Sequence, residues 1–259
     1  MKIIIEESVK ELARKAGENA EKIINRAIRE NGEASIIVAT GASQDEIINY
    51  LTRSDNIDWS KVVFFHLDEY IGVSENHPAS FRRYLKERFI NKVDDVKEVC
   101  FVEGDADNPD EECKRIGSII ADHDIDIAFV GIGENGHLAF NDPPADFETI
   151  DPYIIVELDE RCRMQQVNEG CFSSIDMVPQ RAISMSVQQV MKSKSIICFV
   201  PELRKSVAVK DCLENEISNM YPSSILRTHS SCFLYLDMPA SSKLEKRNCT
   251  EFVLEEIKL

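Results

Sequence analysis

A histidine one residue past a glycine turn is the first candidate for chemistry in this chain. The stretch Gly131-Ile132-Gly133-Glu134-Asn135-Gly136-His137-Leu138-Ala139-Phe140-Asn141-Asp142-Pro143 compresses Asn135, His137, Asn141 and Asp142 around that turn. A histidine oriented by a short polar neighbour suits proton transfer near neutral pH. A histidine that only closes a strand end is the structural alternative. The G-x-G-x-x-G spacing also matches a dinucleotide fingerprint, which needs its third glycine early in a helix and belongs in a first βα unit. Here Pro143-Pro144 stop any helix soon after the glycines, and the stretch lies mid-chain. A nicotinamide site is not expected.

Three other loops carry reactive types. Asp68 and Glu69 stand together at the end of the apolar run Val62–Leu67. Adjacent residues on extended chain point oppositely, so one of the two faces a pocket. A carboxyl in a partly dry pocket has a raised pKa and can act as a general base; a solvated strand end is the other reading. Thr40-Gly41-Ala42-Ser43 lets backbone approach an anion at a helix start, or Ser43 caps that helix, or both. In Pro201-Glu202-Leu203-Arg204-Lys205, Lys205 falls in the first turn of a helix, where a cation is unfavourable unless an anion sits beside it. An ordinary solvated lysine is the alternative.

The elements that must position these loops are legible as periodicity. Strands are expected at Lys2–Glu6, Ile36–Thr40, Val62–Leu67, Glu98–Val102, Ile125–Gly131, Tyr153–Leu158, Ser195–Val200 and Cys232–Asp237. Helices are expected at Ser8–Glu30, Gln44–Leu51, Ala79–Lys92, Pro109–Ala121 and Glu202–Leu213, with a charged helix at the C-terminus. Apolar strands alternating with helices imply an α/β fold: a single doubly wound, Rossmann-like domain over residues 1–259 with a mostly parallel sheet. Ligands bind outside the carboxyl ends of such strands, which selects the four loops above.

Composition narrows the partners. The 259 residues are 43% hydrophobic and 29% charged, with a formal net charge of −16. That field repels nucleic acid and anionic membranes. The eight cysteines include no C-x-x-C pair and no zinc spacing, so no metal site is expected. No secretory leader or membrane span is visible, and free thiols in a reducing cytoplasm are the expectation.

Thr-Gly after the second strand, L-D-E-Y-I-G after the third, and G-I-G-x-N-G-H-x-A-F-N-x-P mid-chain together resemble the glucosamine-6-phosphate deaminase (isomerase) family, with 6-phosphogluconolactonase as a structural cousin. The continuation H-L-A-F-N-D-P resembles the deaminase branch. The resemblance implies a cofactor-independent ring opening, aldose–ketose isomerisation and deamination of a small amino-sugar phosphate. It assigns Asp68 as the base at C2, His137 as the group that opens the ring, and Asn135 and Asp142 as its partners. Gly41, Ala42, Ser43 and Lys205 would hold the phosphate. Three departures stand out. Asp142 replaces a glutamate, so its contact with the histidine must be closer or water-bridged. Gln166 stands near the position where the family carries a phosphate-binding arginine, a loss for which Arg161 or Arg163 could compensate, with Glu69 a further substrate contact. Pro152 and Ile154 replace basic positions that bind an N-acetylated activator, so no activation of that kind is implied. Galactosamine 6-phosphate as substrate, lactone hydrolysis, and a non-catalytic sugar-phosphate sensor are the alternatives. The family includes monomers, trimers and hexamers, which leaves homo-oligomerisation open.

Overall fold

Strands that are apolar on both sides make a sheet that must be covered twice. The structure, a computed structural model, describes residues 1–245; the expected C-terminal helix lies outside the described residues. The first half runs β1 (Lys2–Glu6), α1 (Val9–Asn31), β2 (Ala34–Val38), α2 (Asp45–Leu51), β3 (Val62–His66), β4 (Asp68–Tyr70), α3 (Phe81–Arg88), β5 (Glu98–Cys100) and α4 (Pro109–Ala121). The second runs β6 (Ile127–Val130), β7 (Tyr153–Glu157), α5 (Glu160–Asn168), β8 (Arg181–Met185), α6 (Val187–Met191), β9 (Ile196–Val200), α7 (Ser206–Glu214), β10 (Cys232–Asp237) and α8 (Met238–Ser241). Among the described residues no helix is long and apolar enough to cross a membrane.

Seven strands form a parallel sheet in the order β1-β10-β9-β6-β2-β3-β5. Their side chains alternate between two cores. Ile36, Val38, Phe64, Phe129 and Phe199 join Leu12, Ala16 and Ile24 of α1 and Ile47 and Ile48 of α2 on one face. Ile37, Phe65, Val130, Cys198 and Leu236 join Ile116 and Ile120 of α4 and Val209 of α7 on the other. This is the expected doubly wound arrangement. The chain leaves β2 in one direction and returns as β6 on its other side, so a crevice opens between their carboxyl ends.

One feature of the architecture departs from the sequence expectation. The strand expected at Val62–Leu67 is β3, which ends at His66, but the residues after it, Asp68–Tyr70, enter a separate antiparallel sheet, β4-β8-β7, that was not expected. Tyr153–Glu157 also belongs there rather than to the parallel sheet. Its middle strand, Arg181–Met185, was not expected as a strand at all. The small sheet encloses a third core with Tyr70, Phe140, Leu158, Cys162 and Phe172.

Candidate active site

The four selected loops meet in one cavity. Thr40, Gly41 and Ser43 line it from the end of β2, Leu67 and Asp68 from the end of β3, Gly131, Gly133 and His137 from the end of β6, and Lys205 from the end of β9.

Asp68 enters the cavity because the chain leaves the main sheet at Leu67 and pairs Asp68 with Ser184 of β8. The residue is 5% exposed, and among the described residues its carboxyl has no hydrogen-bond partner. Burial, then the neighbouring Glu69, pushes it up to about 8. A carboxyl in that state is a strong base once ionised. Glu69 points the other way, as alternation requires, but it does not meet solvent. Its oxygens accept from Tyr70 N, Phe81 N, Ser80 Oγ and Arg82 N at 2.8–3.1 Å. Glu69 therefore holds the start of α3, and the expectation that it contacts substrate is corrected: a fully buried, four-fold bonded carboxylate has no capacity left.

His137 owes its place to two glycines. Gly136 turns the chain at φ +87°, and a Cβ at Gly133 would lie 2.3 Å from the imidazole ring, so the ring packs directly on the Gly133 backbone. No helix follows these glycines, which removes the dinucleotide reading on geometry. His137 Nδ1 lies 3.1 Å from Asp142 Oδ1. Asn135 Nδ2 donates to the same oxygen at 2.8 Å and to Asp159 Oδ2 at 2.9 Å. The Asp159 amide donates to Asp142 Oδ2 at 2.9 Å. Burial pulls the Asp142 pKa up, but His137, Asn135 and the Asp159 amide outweigh it and hold the carboxyl below its ordinary value. An ionised carboxylate only accepts, so Nδ1 carries a proton, and in the neutral imidazole Nε2 then holds the free lone pair. The shorter Asp142 thus closes on the histidine directly, without a bridging water. Asn135 and Asp142 stand behind His137 rather than on the cavity wall.

His137, Asp142 and Cys162 bring ligand-type atoms within 4.8 Å of one another. Burial, with Asp142 beside it, raises the Cys162 thiol well above the ordinary range, so at neutral pH it stays a protonated core group.

Lys205 ends a short 3-10 turn that precedes α7. It is 3% exposed and has no hydrogen-bond or ion-pair partner among the described residues. Burial, then Arg204, lowers its pKa to about 8 against the pull of Glu169, Glu134 and Glu202. A buried ammonium facing a cavity in this way suits an anionic ligand. Ser43 does not cap a helix; its Oγ accepts from Arg204 Nη2 at 3.2 Å. Ala42 is exposed and off the cavity wall.

Gln166 lines the cavity, as does Gln165, whose Nε2 donates to Glu169 at 2.8 Å. Neither expected arginine compensates. Arg161 is exposed on α5, and Arg163 donates to the carbonyls of Ile175 and Val178, bracing the segment after the helix. Sequence reasoning missed Gln44, Gln165, Glu169 and the ion pairs of Arg204. Only Arg204 carried a signal, as a second cation beside Lys205.

The sequence profile of the family described as glucosamine-6-phosphate isomerases/6-phosphogluconolactonase matches residues 7–234. Glucosamine-6-phosphate deaminase 1 of Bacillus subtilis (strain 168) is 33% identical over 228 residues, 86% of this chain and 93% of that protein. Glucosamine-6-phosphate deaminase of Oenococcus oeni is 33% identical over 232 residues, 90% of this chain and 95% of that protein. The solved structure of a monomeric glucosamine-6-phosphate deaminase superposes with a TM-score of 0.85 at 30% identity, covering 93% of this chain and 99% of that one. A 6-phosphogluconolactonase structure from Shewanella baltica OS155 shares the fold, at a TM-score of 0.75 and 15% identity over 92% of this chain and 97% of that one. The chain belongs to the glucosamine-6-phosphate isomerase/6-phosphogluconolactonase family.

Proposed function

We propose that this chain is a glucosamine-6-phosphate deaminase, converting glucosamine 6-phosphate and water to fructose 6-phosphate and ammonia. One observation carries the reading. A buried carboxyl without a hydrogen-bond partner among the described residues, Asp68, and a histidine with a fixed ring orientation, His137, share a cavity with the buried ammonium of Lys205. His137 Nε2 takes the proton of the anomeric hydroxyl and returns it to the ring oxygen, so the C1–O5 bond breaks. Asp68 then removes the proton from C2 and delivers it to C1. The C1 carbonyl is reduced as C2 becomes an imine; water adds at C2 and ammonia leaves. Asn135 and Asp142 orient the histidine. Gly41, Ser43 and Lys205 hold the phosphate, with Gln166 as a neutral donor and Ala42 only carrying the turn between the first two. No cofactor is needed for these steps. The whole chain as one catalytic domain, acting in the cytoplasm, belongs to the same reading.

The test supplies purified protein with glucosamine 6-phosphate, galactosamine 6-phosphate and 6-phosphogluconolactone in parallel. Ammonia release is expected, with the higher kcat/KM on the glucosamine epimer. A preference for the galactosamine epimer would reassign the substrate. Acid from the lactone without ammonia from either sugar would replace the reaction.

A further inference from the structure

Lys205 is the one lysine or arginine among the described residues that line the cavity. Gln165 and Gln166 line it, and so does a carboxylate, Glu169. Arg204 lies beside this wall, held on several sides. Its Nε donates to Glu202 at 2.6 Å, and its Nη1 to Glu169 at 2.5 Å and Glu134 at 3.1 Å. The remaining nitrogen, Nη2, donates to Ser43 Oγ at 3.2 Å.

The direction of that last bond matters. A guanidinium has donors and no acceptor, so Ser43 Oγ must accept from it. The serine's own proton is then free to point elsewhere, and Ser43 lines the cavity with no other side-chain partner among the described residues. Left alone, a hydroxyl rotates and offers a lone pair or a proton as its neighbours dictate. Bound to Arg204, it is a donor aimed at whatever anion enters.

The surrounding construction serves the same end. Glu202 sits at φ 84°, ψ 140°, a region costly for any residue with a Cβ. Both oxygens of the buried Asp237 accept its backbone N–H at 3.1 Å and hold it there. Glu134, from the glycine loop, and Glu169, from the end of α5, fix the other edge of the guanidinium. Four separate segments therefore agree on one orientation of Arg204.

We propose that Arg204 is a positioning residue for the substrate's phosphate monoester: it locks the Ser43 hydroxyl as a donor into the cavity, so that a directed neutral hydrogen bond serves where Gln166 supplies no charge. This rests on the reading of Ser43 and Lys205 as the phosphate end.

The test is a double-mutant cycle on Ser43→Ala and Arg204→Gln. It reads KM and kcat for glucosamine 6-phosphate and the inhibition constant of inorganic phosphate. Each single change should raise KM and the phosphate constant about tenfold, the loss of one hydrogen bond to a charged group, with kcat altered by less than about threefold. Because Arg204 acts through Ser43, the double variant should be no worse than the worse single one. Arg204→Lys, which also only donates, should keep phosphate inhibition within about threefold of the parent and guards against misfolding of the glutamine variant. Fully multiplicative effects, or an Arg204→Gln enzyme with unchanged constants, would overturn the proposal and leave the phosphate end standing. A parent protein inert on the sugar and indifferent to phosphate would remove that underlying reading, and the proposal with it.

Discussion

Asp68→Asn is expected to slow ammonia release by ~10²–10⁴-fold, the range for loss of a general base, and to stabilise the folded protein at neutral and alkaline pH. Both effects come from the same burial. In the unfolded chain an aspartate titrates near ~3.9; in the cavity, burial and Glu69 raise Asp68 to about 8. Between those values the native state holds a proton that the unfolded state has released. Stability therefore falls as pH rises through this window, and the cost is complete above the folded pKa. Asparagine cannot ionise, so the variant lacks that slope. Urea melts near both ends of the window should show the variant's advantage growing with pH. In the parent enzyme the same titration should set the acid limb of kcat/KM. Near-normal turnover in Asp68→Asn, or an unchanged pH slope of stability, would remove Asp68 from the role of base.

The second large effect is expected from Asp142→Asn: a fall in kcat of about 10²-fold or more with little change in KM. Three donors converge on this carboxylate: His137 Nδ1, Asn135 Nδ2 and the Asp159 amide. An asparagine has one acceptor oxygen and an amide that must face at least one of these donors. Either His137 loses the partner that fixes its proton on Nδ1, or the loop loses its anchor to residue 159. In both cases Nε2 is no longer held as the free base. A stopped-flow or steady-state comparison beside a thermal melt separates the relay from folding. Unchanged kcat in a folded Asp142→Asn enzyme would contradict the relay.

The candidate cavity was largely legible in the sequence, and its supports were not. Apolar β-branched strands mark their own carboxyl ends, so the loops bearing Ser43, Asp68, His137 and Lys205 could be singled out before any coordinates. The small antiparallel sheet could not. Arg181–Met185 begins with an exposed arginine and includes a serine, so it lacks the β-branched run of the parallel strands, and its pairing of Ser184 with Asp68 spans over a hundred residues. Glu69 looked like a second site carboxylate because its real partners, Ser80 to Arg82, are placed by α3 rather than by proximity in the chain. Arg161 and Arg163 were candidates on charge alone; Arg161 stays exposed and Arg163 is engaged by the carbonyls of Ile175 and Val178, while Gln165 and Gln166 line the cavity. The ties of Arg204 to positions 43, 134 and 169 exist only once three strand ends and α5 are brought together.

The measurement that tests the central claim most directly is the fate of the hydrogen at C2. Glucosamine 6-phosphate deuterated at that carbon should yield ammonia and fructose 6-phosphate in equal amounts, with the label moved to C1 or lost to water. Ammonia without the ketose, or any deaminated product that still carries deuterium at C2, would contradict proton abstraction by Asp68.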